Sequence, residues 1–200
     1  MPDTYPTFSH LATSAREGLD YRRELIDRGT DLVVIAPHGG GIEQGTSEIA
    51  RAVAGRDLSL YTFSGLRRKG NGRLHITSTR FDEPRGLDLI ARSRIVVAIH
   101  GLQEQDTAIY VGGRHQVLKA RLLRTLRDAG FPALPAQGPH AGTHPANLCN
   151  RGSTGRGVQL ELTRGLRSAM FHGLDRRGRR LEKPPFHRLT SAIRTVLLGG

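Results

Sequence analysis

Cysteine occurs once in the 200 residues, at Cys149, so the chain forms no internal disulfide and suits synthesis in a reducing compartment. No apolar run approaches the ~20 residues of a membrane span. The first residues, MPDTYPTFSHLATSAREG, lack both a basic n-region and an apolar h-region, so no signal peptide is expected. That places the chain in the cytoplasm on synthesis and leaves release by lysis open. Aromatic residues are 5% of the chain, and no nucleic-acid-binding motif occurs, which ranks a basic nucleic-acid-binding module last among the function classes. Phosphate-loop and dinucleotide fingerprints are absent too.

What the chain has in quantity is positive charge. Thirty Lys+Arg against 18 Asp+Glu give a net charge of +12, almost all of it arginine. A field of that sign attracts polyanions. Part of it lies in one cluster, Arg176, Arg177, Arg179, Arg180 and Lys183. Hydrophobic content of 37% with 25 glycines indicates a folded, loop-rich globule. The length suits one catalytic domain over residues 1–200, with a basic C-terminal segment, 175–200, packed on it.

Three continuous apolar runs read as strands covered on both faces: Asp31–Pro37, Arg94–Ile99 and Val158–Thr163. Leu11–Asp27 reads as a polar, helical leading segment. Thr46 or Ser47 can cap a helix over Glu48–Ala54, which Gly55 ends. Leu58–Ser64 and Arg73–Ser78 alternate around Gly70-Asn71-Gly72 and predict an antiparallel hairpin. Helices are expected at Arg85–Ala91, at His115–Ala129 on a leucine stripe, from Arg164, and at the surface over Pro185–Leu198. A short strand is expected at Thr107–Val111. Pro132–Gly157 has little periodicity and reads as a long loop, of the kind that walls a functional site. The expected fold is α/β, three layers (α/β/α) with a mixed, largely parallel sheet.

The chemistry gathers at strand ends, where α/β sheets hold ligands. His38 and His100 each end an apolar strand and precede glycine, and Glu43 lies one loop beyond His38. If the two strands are parallel neighbours, two histidines and a carboxylate converge, leaving a fourth position for water, as at a catalytic zinc. Each histidine could equally be a hydrogen-bonding strand terminus. Glu161, between Leu160 and Leu162 inside a strand, must be paired or functional; a proton shuttle or an ion pair with Arg164 are its two readings. The His38-Gly39-Gly40-Gly41 run resembles a lipase oxyanion loop, but the chain contains no Gly-x-Ser-x-Gly elbow. The three glycines then read as slack that lets His38 and Glu43 reach one ion. Cys149 reads as a packed loop cysteine rather than a nucleophile.

Several blocks, in order, resemble the poly-γ-glutamate hydrolase family of bacteriophage enzymes and related bacterial proteins: HGGGIEQGTSEIA, YTFSGLRRKGN, LHITSTRFDEP, VVAIHG, YVGG and THPANLCNRGSTGRGVQLELTRGLR. The resemblance runs from about Tyr21 to Leu166 and more weakly beyond. It implies a fold like that of zinc carboxypeptidases and zinc-dependent cleavage of γ-glutamyl amide bonds. It further implies His38, Glu43 and His100 as metal ligands and Glu161 as general acid/base. The His-x-x-x-x-Glu spacing departs from the His-x-x-Glu of carboxypeptidases proper. Arginines would grip the polymer's free carboxylates: Arg151, which would also stabilise the oxyanion, Arg80 and Arg164, with His75 and Asn150 beside them. The sequence therefore predicts a monomeric zinc amidohydrolase acting on poly-γ-glutamate. A zinc deacylase or peptidase of the same fold, acting on a small acylated amino acid or γ-glutamyl peptide, is the alternative.

Overall fold

The computed structural model describes residues 3–199. In chain order the elements are α1 (Phe8–Leu11), β1 (Tyr21–Ile26), β2 (Leu32–Gly40), α2 (Thr46–Ala54), β3 (Ser59–Gly65), α3 (Pro84–Arg92), β4 (Ile95–Gly101), β5 (Ile109–Gly113), α4 (Gln116–Asp128), β6 (Ala133–Pro135), β7 (Val158–Leu162), α5 (Arg164–Met170) and α6 (Pro184–Leu198). All seven strands form one sheet in the order β1-β3-β2-β4-β7-β5-β6. The middle four, β3, β2, β4 and β7, are mutually parallel, while β1 and β5 join antiparallel. This is the mixed, largely parallel α/β arrangement expected.

The unbroken apolar runs follow from burial on both faces. Along β2, Val34 and Ala36 pack with α2, α4 and α6, while Val33 and Ile35 pack with Phe8, Leu11, Leu89 and Ile90 on the opposite face. The three layers are uneven, for the second face is closed by α3 and by long loops carrying Leu74, Ile76, Phe81 and Leu148. No helix of the described residues is long and apolar enough to cross a membrane.

Four expectations change. Leu11–Asp27 is not helical; it contains the edge strand β1, whose Arg23 is neutralised by the carboxylates of Glu17 and Glu83. The hairpin does not form, because β3 is a central strand between β1 and β2, and residues 71–74 make a helical turn instead. Leu74 and Ile76 are buried, as the alternation requires, but in loop packing rather than in a ladder. The Pro132–Gly157 region includes β6, which pairs parallel with β5. Finally, neither Thr46 nor Ser47 caps α2, which begins at Thr46 after Gly45 with no side-chain cap; α6, by contrast, forms as expected, burying Leu189, Ile193 and Val196 against α2 and α4 with its other face exposed.

What positions the site is the sheet's switch point. From β2 the chain crosses through α2 to β3 on one side, then through α3 to β4 on the other. The carboxyl ends of β2 and β4 therefore open a crevice between diverging connections.

Candidate functional site

His38 lies near the end of β2, His100 near the end of β4 and Glu161 within β7, three adjacent parallel strands. His100 and Glu161 are register partners, so their side chains stand on the same face. Glu43 comes from the loop between β2 and α2, whose return is fixed by its N–H donating to the His38 carbonyl (2.8 Å). These four groups line a cavity of about 410 Å³ with His75, His140, His144, Asn147 and Gln159.

The glycines before Glu43 are not slack. Gly39 and Gly40 continue β2 past a bulge and pair with Ser64 and Gly65. Gly40 sits at φ +65°, and a Cβ there would lie 2.4 Å from the Gly65 carbonyl, so only glycine fits.

The histidine tautomers follow from their partners. His38 Nε2 contacts the Ile76 carbonyl oxygen at 2.8 Å; a carbonyl only accepts, so Nε2 carries a proton and Nδ1 is the ring nitrogen turned toward His100 and Glu43. That Nδ1 lies 3.2 Å from His100 Nδ1 and 3.1 Å from Glu43 Oε1. His100 Nδ1 is 3.7 Å from Glu43 Oε2, which also accepts the Gly101 N–H at 2.8 Å. Tetrahedral zinc, with Zn–N bonds of about 2.0–2.1 Å, sets two nitrogen ligands about 3.3 Å apart. The donor spacing therefore fits a small divalent cation.

A neighbouring group fits as well. His38, Glu43 and His75 offer ligand atoms within 4.8 Å of one another. His75 stacks on the His38 ring with centroids 4.0 Å apart, and its Nε2 is 3.8 Å from Glu43 Oε1. Its Nδ1 donates to Asp3 Oδ1 at 2.7 Å, an outer carboxylate of the sort that orients imidazoles near metals.

Electrostatics agree with a cation-seeking pocket. Burial opposes ionisation of Glu43, yet His38 and His100 beside it hold its carboxyl far below the usual range. Burial likewise opposes charging of His100, but Glu161 and Glu43 overcome it and raise its pKa. Glu161 is raised, by burial first, with His100 pulling the other way. Among the described residues no arginine pairs with Glu161. Instead Gln159 Nε2 donates to its Oε1 (3.0 Å) and to the His140 carbonyl (2.9 Å), while Asn147 Nδ2 donates to Gln159 Oε1 (3.0 Å).

Of the other residues singled out in the sequence, only His75 lines this cavity. Arg151 lines neither it nor its neighbour and donates to the Phe81 carbonyl (3.2 Å), so it stands apart from any oxyanion formed here. Arg80 is held by Asp3 at 2.9 Å. Asn150 is buried and ties the 142–157 region together through the Gly142 and His144 carbonyls and the Arg114 and Gly157 N–H groups. Arg164 opens into a different cavity. Cys149 is buried, its thiol pushed up to about 12 by burial and then by Glu161, and is no nucleophile. Sequence reasoning missed Gln159, although strand alternation puts it on the face of Glu161 two residues on. It also missed Arg167, which is fully buried and donates to the carbonyls of Gln44 (2.6 Å), Leu102 (2.5 Å) and Leu162 (3.2 Å).

Imidazoles and carboxylates gathered in a pocket at a sheet switch point are the setting of a ligand site, and the family profile that the chain matches puts it in the hydrolase class. Within that class it belongs to the poly-γ-glutamate hydrolase family, whose sequence profile matches residues 5–192. The UPF0714 protein YndL of Bacillus subtilis (strain 168) is 43% identical over 171 residues, 84% of this chain and 67% of that protein. The chain thus spans about two thirds of that relative's length. The solved structure of a bacteriophage poly-γ-glutamate hydrolase superposes with a TM-score of 0.97 at 32% identity, covering 99% of this chain and 98% of that one. The zinc-free apo form of YndL superposes with a TM-score of 0.95 at 38% identity, covering 98% of both chains.

Proposed function

We propose that this chain is a zinc-dependent hydrolase that cleaves the γ-glutamyl amide bonds of poly-γ-glutamate. The observation that carries the reading is His38 Nδ1 facing His100 Nδ1 across 3.2 Å, with the Glu43 carboxylate beside both. His38, Glu43 and His100 would hold the ion; His75, stacked on His38 and partly open to the cavity, is left to meet substrate. When bound, zinc supplies the Lewis acidity that brings the pKa of an attacking water to roughly 7.

Glu161 takes the proton of that water and returns it to the departing amine. Its raised pKa suits a group that must keep a proton between the two steps. Gln159, fixed by Asn147 and by the His140 carbonyl, aims the carboxylate through Oε1 and leaves Oε2 to the proton. The zinc-free form of a relative sharing this fold supports a zinc site here.

The test is Glu161→Gln beside wild type, with metal analysis and a viscosity assay on long poly-γ-glutamate. The variant is expected to keep its metal and lose about 10²–10⁴-fold in kcat. Full activity in the variant removes Glu161 from the mechanism, and an active metal-free wild type removes the metal.

A further inference from the structure

A second concavity, larger than the one just described, is unused by this chemistry. A cavity of about 1070 Å³ lies across the Gly40–Gln44 stretch: Gly40, Gly41 and Gln44 line it, while His38 and Glu43 line the catalytic one. Eight arginines open into it against three carboxylates, Glu48, Asp175 and Glu182. Three of those arginines are neutralised, Arg51 by Glu24, Arg67 by Asp20 and Arg179 by Glu48. Among the described residues the other five, Arg22, Arg68, Arg164, Arg176 and Arg180, form no ion pair.

These five reach the cavity from separate parts of the chain: β1, the turn after β3, the first turn of α5, and the segment between α5 and α6. Gathering uncompensated like charge from so many segments costs folding free energy through self-repulsion, and an anion in the cavity would relieve it. By contrast, the catalytic cavity is lined by no arginine or lysine. The charges able to hold a polyanion therefore stand beside the chemistry, across one loop.

The chemistry of the wall selects among polyanions. No aromatic side chain lines it, so there is nothing on which nucleobases could stack. Guanidinium groups match carboxylates in bidentate fashion. We infer that this cavity is an exosite that holds side-chain carboxylates of an anionic polypeptide while a bond further along the same chain occupies the His38–Glu161 cavity, an inference that rests on the function proposed above. Such an arrangement favours long chains, because engaging the second cavity becomes intramolecular once the first is filled.

The test uses equilibrium binding of labelled poly-γ-glutamate to the Glu161→Gln enzyme. Replacing Arg22, Arg68, Arg176 and Arg180 together by Ser is expected to weaken binding of long polymer at least about tenfold, with Tm of the free protein held or raised because these side chains are exposed, unpaired and mutually repelling. A control replaces four exposed arginines that line neither cavity, Arg56, Arg85, Arg114 and Arg124, removing the same charge. It is expected to stay within about threefold of the parent. Equal losses in the two variants, or none in the first, would overturn the exosite. So would duplex DNA of matched charge binding as tightly and responding to the first variant in the same way. Cleavage is scored separately by wild-type viscosity loss. Polymer that is cut, but bound unchanged by the groove variant, removes the exosite and leaves the hydrolase reading. Polymer bound through the groove arginines but never cut does the reverse.

Discussion

At the scale of single residues, two of the three histidines that border Glu43, His100 and His75, differ in what their other nitrogens touch. His100 is buried, with Nδ1 turned to His38 and Glu43 and Nε2 3.4 Å from Ser78 Oγ; His75 is partly exposed and tied outward to Asp3. His100→Ala is therefore expected to lose about tenfold or more in zinc affinity, whereas His75→Ala keeps zinc and raises KM. Chelator competition on the two variants decides it, and the opposite ranking would make His75 the third ligand. Asp3 gives a pH test. Burial pushes its carboxyl up, but the Thr77 N–H and then His75 outweigh this and bring it to about 2. A carboxyl lowered on folding stabilises above its unfolded pKa, about 3.9, and loses that contribution as pH falls through the folded value. Asp3→Asn is expected to cost on the order of 2 kcal/mol at pH 7 and almost nothing near pH 2, read by urea unfolding at both pH values. A penalty that persists at pH 2 would disprove the linkage. The gathering of His38, Glu43, His100 and Glu161 at one cavity was legible in the sequence because each sits at or near a strand end or interrupts an apolar run. Arg151 and Asn150 stand in a block that resembles family sequence, but in the fold Arg151 donates to the Phe81 carbonyl and Asn150 to those of Gly142 and His144, and neither lines the cavity.

At the scale of elements, one side chain links the segments that carry the site. Arg167, on α5, donates to the carbonyls of Gln44, Leu102 and Leu162, residues that follow Glu43, His100 and Glu161 by one, two and one positions. Its fit explains Gly101, where a Cβ would lie 2.7 Å from the guanidinium carbon. Burial lowers its pKa to about 10, which still leaves it charged at neutral pH. Arg167→Met preserves bulk and strands three carbonyls, so it is expected to cost on the order of 3 kcal/mol and to weaken zinc binding more than a remote substitution of equal cost. Denaturation and chelator titration of the folded variant measure the two effects; normal zinc affinity would reduce Arg167 to a structural brace. Nothing local in the sequence announces this residue, for its partners lie up to 123 positions away. The same limit governs the fold. Strands β2, β4 and β7 could be read because cover on both faces leaves a continuous apolar run. The edge strand β1 escaped because its sequence, YRRELI, is half charged, and the Leu74–Ile76 alternation deceived because loop burial mimics a strand's period.

At the scale of the whole molecule, net charge and local geometry make separable claims on the same substrate. A charge of +12 steers a polyanion toward the protein from a distance, and that steering is screened over about 10 Å at 0.1 M salt and about 3 Å at 1 M. Arginines inside a cavity act at contact, where a guanidinium and a carboxylate share hydrogen bonds that salt weakens less. Steering belongs to encounter, and the proton transfer proposed for Glu161 belongs to the bound state, so salt should divide the kinetic constants. Between about 0.1 and 1 M NaCl, kcat/KM on long poly-γ-glutamate is expected to fall by at least an order of magnitude while kcat changes less than about twofold. On a short γ-linked oligomer, which carries few charges, both constants should move little. The groove variant sharpens the division: with its four arginines removed, kcat/KM on long polymer should start lower and fall less steeply with salt. A kcat that drops in parallel with kcat/KM would place the arginines' influence in the chemical step, and the separation between the two cavities would then have to be abandoned.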